Sequence, residues 1–505
     1  MFIKYISIII YCYHLHNVFS QSVTTQLKDN QILTSTLPVN GYNYYYFSSS
    51  SSMNQMFTKR DQPEIYLSVA TCSQPIPPVN YHETIPSLNI YISTSNALPG
   101  SNDDILANNS VNGLMNWTSD GQTSEIWIAV GSPNLTASWN GNWTYEIGVS
   151  TSQFMHLLFV NNEEIDNDIP YITLDDTDRN HALFLSSPFQ GSAPNSTILM
   201  THNLPKELSY SLCAARLHKS THYNVNTTVT YRGPTHGPKQ QFMISNLTSN
   251  TAYTAYMLQT RGALIGMTTP IYLKTKMEAN CRIIYDLQFC DQVAYSVPVN
   301  PDALLTSSIQ DLVNQYDQQA LEKFKPFDIA LSQFNCETTL YSLVRNCTDC
   351  YRDYKTWLCA VTIPRCTDSS MNAGLHQGTD NVAAAPALRD ISVNASRNPW
   401  IDESIQPGEW TELLPCIDLC YHVVQSCPPF LNFYCPEPDL RSIQYGYWQN
   451  GTASVNGTVY HFNINNPTCN RVGISPGLLT ISHTSTLYCS FILYIVPLFT
   501  LLLLL

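Results

Sequence analysis

CIDLCYHVVQSCPPFLNFYCP, Cys416 to Pro436, places four cysteines in one short stretch. A helix over Pro415–Ser426 advances about 100° per residue, so Cys416, Cys420 and Cys427 share one face within roughly 40°. Cysteines stacked this way rarely bridge one another, so each should reach a different neighbouring segment. Pro428–Pro429 ends the helix, and Cys435 follows on a turn. The stretch reads as a helix stapled to its surroundings, provided that the chain folds where disulfides persist.

The ends of the chain bear on that condition. Lys4, the apolar run Ile6–Tyr13, and the small-residue region Val18–Ser20 resemble a secretory leader, residues 1–20, with Gln21 as the expected mature start. Eleven N-x-S/T sequons follow, at Asn108, Asn116, Asn134, Asn142, Asn195, Asn226, Asn246, Asn346, Asn394, Asn450 and Asn456. Leaving aside Cys12 and Cys489, fourteen cysteines remain, and twelve of them lie between Cys281 and Cys469. Cys347–Cys350 is the only C-x2-C, with no second pair at zinc-ribbon spacing, so structural disulfides are favoured over zinc or redox chemistry.

The 505 residues suggest several domains, and the net charge of -14 argues against nucleic acid or an anionic membrane surface as partner. Residues 21–150 alternate β-branched and aromatic runs (GYNYYYF, PEIYLSVATC, LNIYISTS, SEIWIAVG) with Asn-, Gly- and Pro-rich turns, as in a β-sandwich or jelly roll. A second β unit is expected over 151–276. There Leu247, Thr251 and Tyr253 are similar to the tyrosine corner of fibronectin type III strands. Cys72 and Cys213 either pair with each other or remain buried thiols. The acidic stretch NNEEIDNDIPYITLDDTD reads as a solvated linker, with Asp175, Asp176 and Asp178 as calcium candidates for a structural site.

A disulfide-rich, mainly helical domain is expected over 277–470, with a mobile loop at 367–399. Ile309, Leu312, Val313, Tyr316, Ala320 and Leu321 fall at helical spacing. The tail, 471–505, ends in SFILYIVPLFTLLLLL, which fits either a cleaved glycolipid-anchor signal or a retained membrane segment. No nucleophile elbow, zinc-protease motif, phosphate loop or dinucleotide fingerprint is present, and His156, His181 and His376 are scattered; a non-enzyme without a cofactor is expected.

The segments CRIIYDLQFCDQVAYSVPVN (Cys281–Asn300) and CIDLCYHVVQSCPPFLNFYCP, with LDDTD at Leu174–Asp178, resemble the fungal stretch-activated calcium channel component of the mating-pheromone-induced-death family. The resemblance implies a glycosylated accessory subunit at the plasma membrane, reached through the endoplasmic reticulum and facing outward. It would bind the pore-forming subunit of a voltage-gated-type calcium channel and support calcium influx. The module also looks like a frizzled-like cysteine-rich domain, which implies the pairs Cys281–Cys366, Cys290–Cys359, Cys336–Cys427, Cys416–Cys469 and Cys420–Cys435. A surface adhesion or wall-sensing receptor that binds glycans through its aromatic β domains is the alternative.

Overall fold

The computed structural model describes residues 24–49, 63–95, 97–100, 105–106, 110–136, 138–160, 169–233, 236–303, 308–333, 345–368, 375–377, 384–455 and 458–472. The expected leader, Cys336, Asn108, Asn456 and the residues beyond 472 lie outside them. The chain divides into two compact units: residues 1–159, 201–219 and 260–270 form the first, and 160–200, 220–259 and 271–505 the second.

In the first unit, one sheet orders the strands Thr25–Gln26, Tyr42–Ser48, Glu125–Gly131, Asn89–Ser93 and Ile105–Leu106. A second orders Gln31–Pro38, Asn142–Ser150, Tyr66–Ser73 and Leu114–Thr118. One core forms from the inward residues of both. Along Asn142–Ser150, Trp143, Tyr145, Ile147 and Val149 are all fully buried, the period of two that a half-buried strand requires. Helix α1, Leu212–Leu217, starts at Ser211, whose Oγ accepts from Ala214 N at 3.3 Å. Its Cys213 is bonded to Cys72 of Tyr66–Ser73, with Cα atoms 5.0 Å apart.

The second unit begins with the sheet Ile172–Thr177, Ala182–Pro188, Lys239–Ser245, Asn224–Thr230, all antiparallel. The strands Ser196–Thr201, Ala252–Arg261 and Ile271–Lys274 cover the same core, which includes Phe184, Met200 and Phe242. At the expected corner, the Thr248 amide donates to the Tyr253 hydroxyl at 3.0 Å, and Leu247 is buried beside it.

The cysteine-rich part opens with a hairpin, Cys281–Ile284 with Tyr295–Pro298. Helix α2, Ile309–Ser332, has a Ser308/Asp311 capping box, and α3, Cys347–Thr362, has one from Asn346 and Asp349. Helix α4 is Ile417–Ser426, shorter by two residues than expected at its start because Cys416 is its N-cap. Helix α5 is Pro438–Gln444. Phe324 and Phe327 of α2, Leu358 of α3 and Val423 of α4 meet in one apolar cluster.

Within this part Cys281 bonds Cys366, Cys290 bonds Cys359, Cys416 bonds Cys469 and Cys420 bonds Cys435. Cys427 bonds Cys350, with Cα atoms 4.6 Å apart, and not Cys336 as the frizzled-like order implied. The reason is local: α3 packs on α4, and Cys350 in its first turn is fully buried in the cluster that holds Cys427. Cys347 is itself disulfide-bonded.

The stretch expected as a mobile loop is corrected over its described residues. Leu388–Ile391 pairs with Trp410–Leu413, and Ala384, Ala385 and Ala387 are buried. The Ala387 amide donates to Thr468 O and its carbonyl accepts from Leu414 N. Small side chains allow backbones to close up here: a Cβ on Gly446 would lie 2.4 Å from that of Ala387.

Candidate functional site

The LDDTD stretch lies at the end of the strand Ile172–Thr177, and its polar partners come from remote parts of the second unit. Arg232 Nη2 donates to Asp175 Oδ2 at 2.5 Å. Asp176 accepts from Lys276 Nζ at 2.8 Å on Oδ1, and from Arg365 Nε and the Ser296 amide, both at 3.0 Å, on Oδ2. Lys276 also donates to the Thr177 carbonyl and to Ser296 Oγ. Asp178 accepts from the amides of Asn180, His181 and Ile283, with His181 Nδ1 2.8 Å and Arg282 Nη1 3.5 Å away.

Asp176 and Asp178 are 7% and 1% exposed. Burial pushes both carboxyls up. For Asp176 the Arg365 and Lys276 charges outweigh it, and for Asp178 His181 and Arg282 do, so each lies below the usual carboxylate range.

These pairings correct the solvated-linker reading of the acidic stretch over its described residues. Asp176 and Asp178 are not solvated, and the side chains at the three calcium candidates are engaged by cations of the chain. A calcium ion there would have to displace Lys276 and Arg365 from Asp176 and Arg232 from Asp175. Spacing along the sequence could not reveal this, because Lys276 and Arg365 lie 100 and 189 residues from Asp176. Thermal unfolding in millimolar calcium and in excess chelator should therefore give the same midpoint; a drop of several degrees with chelator would reinstate the metal.

The scattered histidines have separate partners: His156 Nδ1 bonds Ser68 Oγ at 2.8 Å, His181 bonds Asp178, and His376 meets the carbonyls of Gln377 and Leu388. All nine described sequon asparagines are exposed, so a glycan on any of them would project into solvent. At Asn346 the two demands coexist: Oδ1 caps α3, while Nδ2 is the atom a glycan would use.

A second feature missed by sequence reasoning is the apolar surface around α5. Leu440 and Ile443, three residues apart on one helix face, are 54% and 55% exposed, and Tyr434 is 78% exposed. The Cys420–Cys435 bond ties this region to α4, and Arg441 bridges it, over the Tyr421 ring at 5.9 Å and donating to the Tyr447 hydroxyl at 3.4 Å. Large apolar side chains grouped on a surface mark interaction sites more often than single ones do.

Residues 64–474 match the family model described as Mid1, stretch-activated Ca2+-permeable channel component. The chain belongs to this family. It is 31% identical to the stretch-activated cation channel yam8 of Schizosaccharomyces pombe over 91% of this chain and 90% of that one. It is also 31% identical to the stretch-activated cation channel MID1 of Saccharomyces cerevisiae, over 47% of this chain and 40% of the relative. The MID1 of Cryptococcus neoformans is 24% identical over 65% of this chain and 63% of that one. The Mid1 match takes in the LDDTD cluster, all six described disulfides and α5. No helix among the described residues is long and apolar enough to cross a membrane.

Proposed function

We propose that the chain is a glycosylated accessory subunit of a fungal calcium channel. It sits on the outer face of the plasma membrane after passage through the endoplasmic reticulum, held there by its hydrophobic tail. Its cysteine-rich part, which we read as frizzled-like with a rearranged third bridge, docks on extracellular loops of a voltage-gated-type pore subunit. The observation that carries this reading is the exposed apolar face of α5, held against α4 by the Cys420–Cys435 bond, in a chain whose family is that of a channel component. The chain has no catalytic role in this reading.

The test is a double substitution, Leu440→Asp with Ile443→Asp, which changes exposed side chains only. Glycan maturation and surface amount should stay normal while co-purification with the pore subunit and stimulated calcium entry both fall about tenfold or more. Unchanged co-purification sinks the docking face.

A wall-sensing receptor is supported by one observation. Tyr42, an exposed ring, stacks on Tyr44 with centroids 6.3 Å apart, a face on which a sugar ring could stack. Saturable β-glucan binding by the full chain, abolished by Tyr42→Ala, would favour it.

A further inference from the structure

Beside the LDDTD cluster, wholly within the second unit, lies a cavity of about 130 Å³ whose charges do not balance. Arg232, Lys239, Arg365 and Arg471 line it, against one lining carboxylate, Asp175. Adding the adjacent Lys276 and Asp176 gives five cations to two carboxylates. Arg232 and Lys239 are 5% and 1% exposed, so water does not screen the excess.

The hydrogen-bond accounting is incomplete at the same place. Asn470 is fully buried with its side-chain amide against the Tyr295 hydroxyl; Arg471 lies over the Trp448 ring at 4.5 Å, and its buried Nη1 has no hydrogen-bond partner among the described residues. Unpaired buried polar groups are costly and rare in native proteins. Burial and the neighbouring Arg365 charge pull Arg471 down to about 10, and burial with Arg232 pulls Lys239 down, so the cations strain against one another. Gly233, at φ +96°, makes the turn that brings the Arg232 carbonyl to 3.0 Å from Lys239 Nζ.

We propose that this cavity binds one small oxyanion, a phosphate or carboxylate group, through Arg471 and the Asn470 amide with Lys239 and Arg232 behind them. A volume near 130 Å³ equals roughly four water molecules, enough for a tetrahedral oxyanion or a carboxylate. Bound anion would supply the missing negative charge in a site where charge-assisted hydrogen bonds are strong. The site does not depend on the docking reading above.

The test uses the full chain, purified in detergent in chloride buffer. Thermal unfolding is followed against sodium phosphate and against sodium acetate, with ionic strength held constant by sodium chloride. We expect a saturable rise of about 3–5 °C with at least one of them, absent in Arg471→Gln. A phosphate response identifies an inorganic oxyanion, and an acetate response alone identifies a carboxylate such as a polypeptide side chain presents. If Arg471→Gln does not fold, Asn470→Leu, which removes the amide proposed to contact the anion, makes the same comparison. If neither folds, equilibrium dialysis of wild type with labelled phosphate and acetate decides, saturation near one per chain supporting the site. No rise with either salt, an equal rise in wild type and variant, or no saturable uptake overturns it.

Discussion

Asp176→Asn should cost the second unit about 3–5 kcal/mol, a large part of the roughly 5–15 kcal/mol that holds a domain together. The carboxylate is the shared partner of Lys276 and Arg365 and also accepts from the Ser296 amide. Its loss leaves two cations in a low-dielectric site without the group that offset their desolvation. Lys276 is 1% exposed and cannot swing into water. The damage should therefore be relieved by removing a cation too. Asp176→Asn with Lys276→Met should be more stable than the sum of the two single changes predicts, by about 1–3 kcal/mol. Strict additivity of the two changes, measured by denaturant unfolding, would show that the pair does not interact as the geometry requires.

The same cluster sets an acid limit. Folding lowers the Asp176 and Asp178 carboxyls below their ordinary value of 3.8, so the unfolded chain binds protons first as pH falls. Their contribution is complete above about pH 5 and is lost as pH falls through about 4 toward the lower native values. Asp176→Asn should flatten this part of the stability profile.

How much of this was legible in the sequence differs residue by residue. Helix α4 could be read because cysteine spacing and the following prolines are local signals, and its three cysteines do reach three different segments. The corner at Tyr253 was legible for the same reason, since its partner Thr248 is five residues away. The partners of Asp176 were not, because no local pattern links Asp176 to Lys276 or Arg365. Nor could linear reading show that residues 201–219 and 260–270 belong with the first unit. The stretch 384–391 looked unstructured because its small residues carry no periodic pattern. Their smallness is what lets Ala387 pass close to Gly446. The α5 surface was missed because exposed Leu440 and Ile443 have the same spacing as a buried helix face.

Cys427→Ser should be more damaging than Cys420→Ser. The bond to Cys350 spans 77 residues, whereas Cys420–Cys435 spans 15. In the chain-entropy account a closed loop of that longer size is worth about 4.5 kcal/mol and the shorter about 3. Other bridges already restrict the unfolded chain, so both figures are upper values, but their order should hold. Cys427 also sits in the cluster with Phe324, Phe327 and Val423, where a polar serine hydroxyl would need a partner. Cys350→Ser should match Cys427→Ser, and the double change should add less than about 0.5 kcal/mol, because either single change has already removed the bridge. Glycan maturation and surface amount in cells, with unfolding of the purified chain, read these effects. The contrasting arm is Cys336→Ser. Were Cys336 the partner of Cys427, it would share the non-additive relation with Cys427→Ser, and Cys350→Ser would not. That pattern would overturn the bridge between α3 and α4 and restore the frizzled-like order.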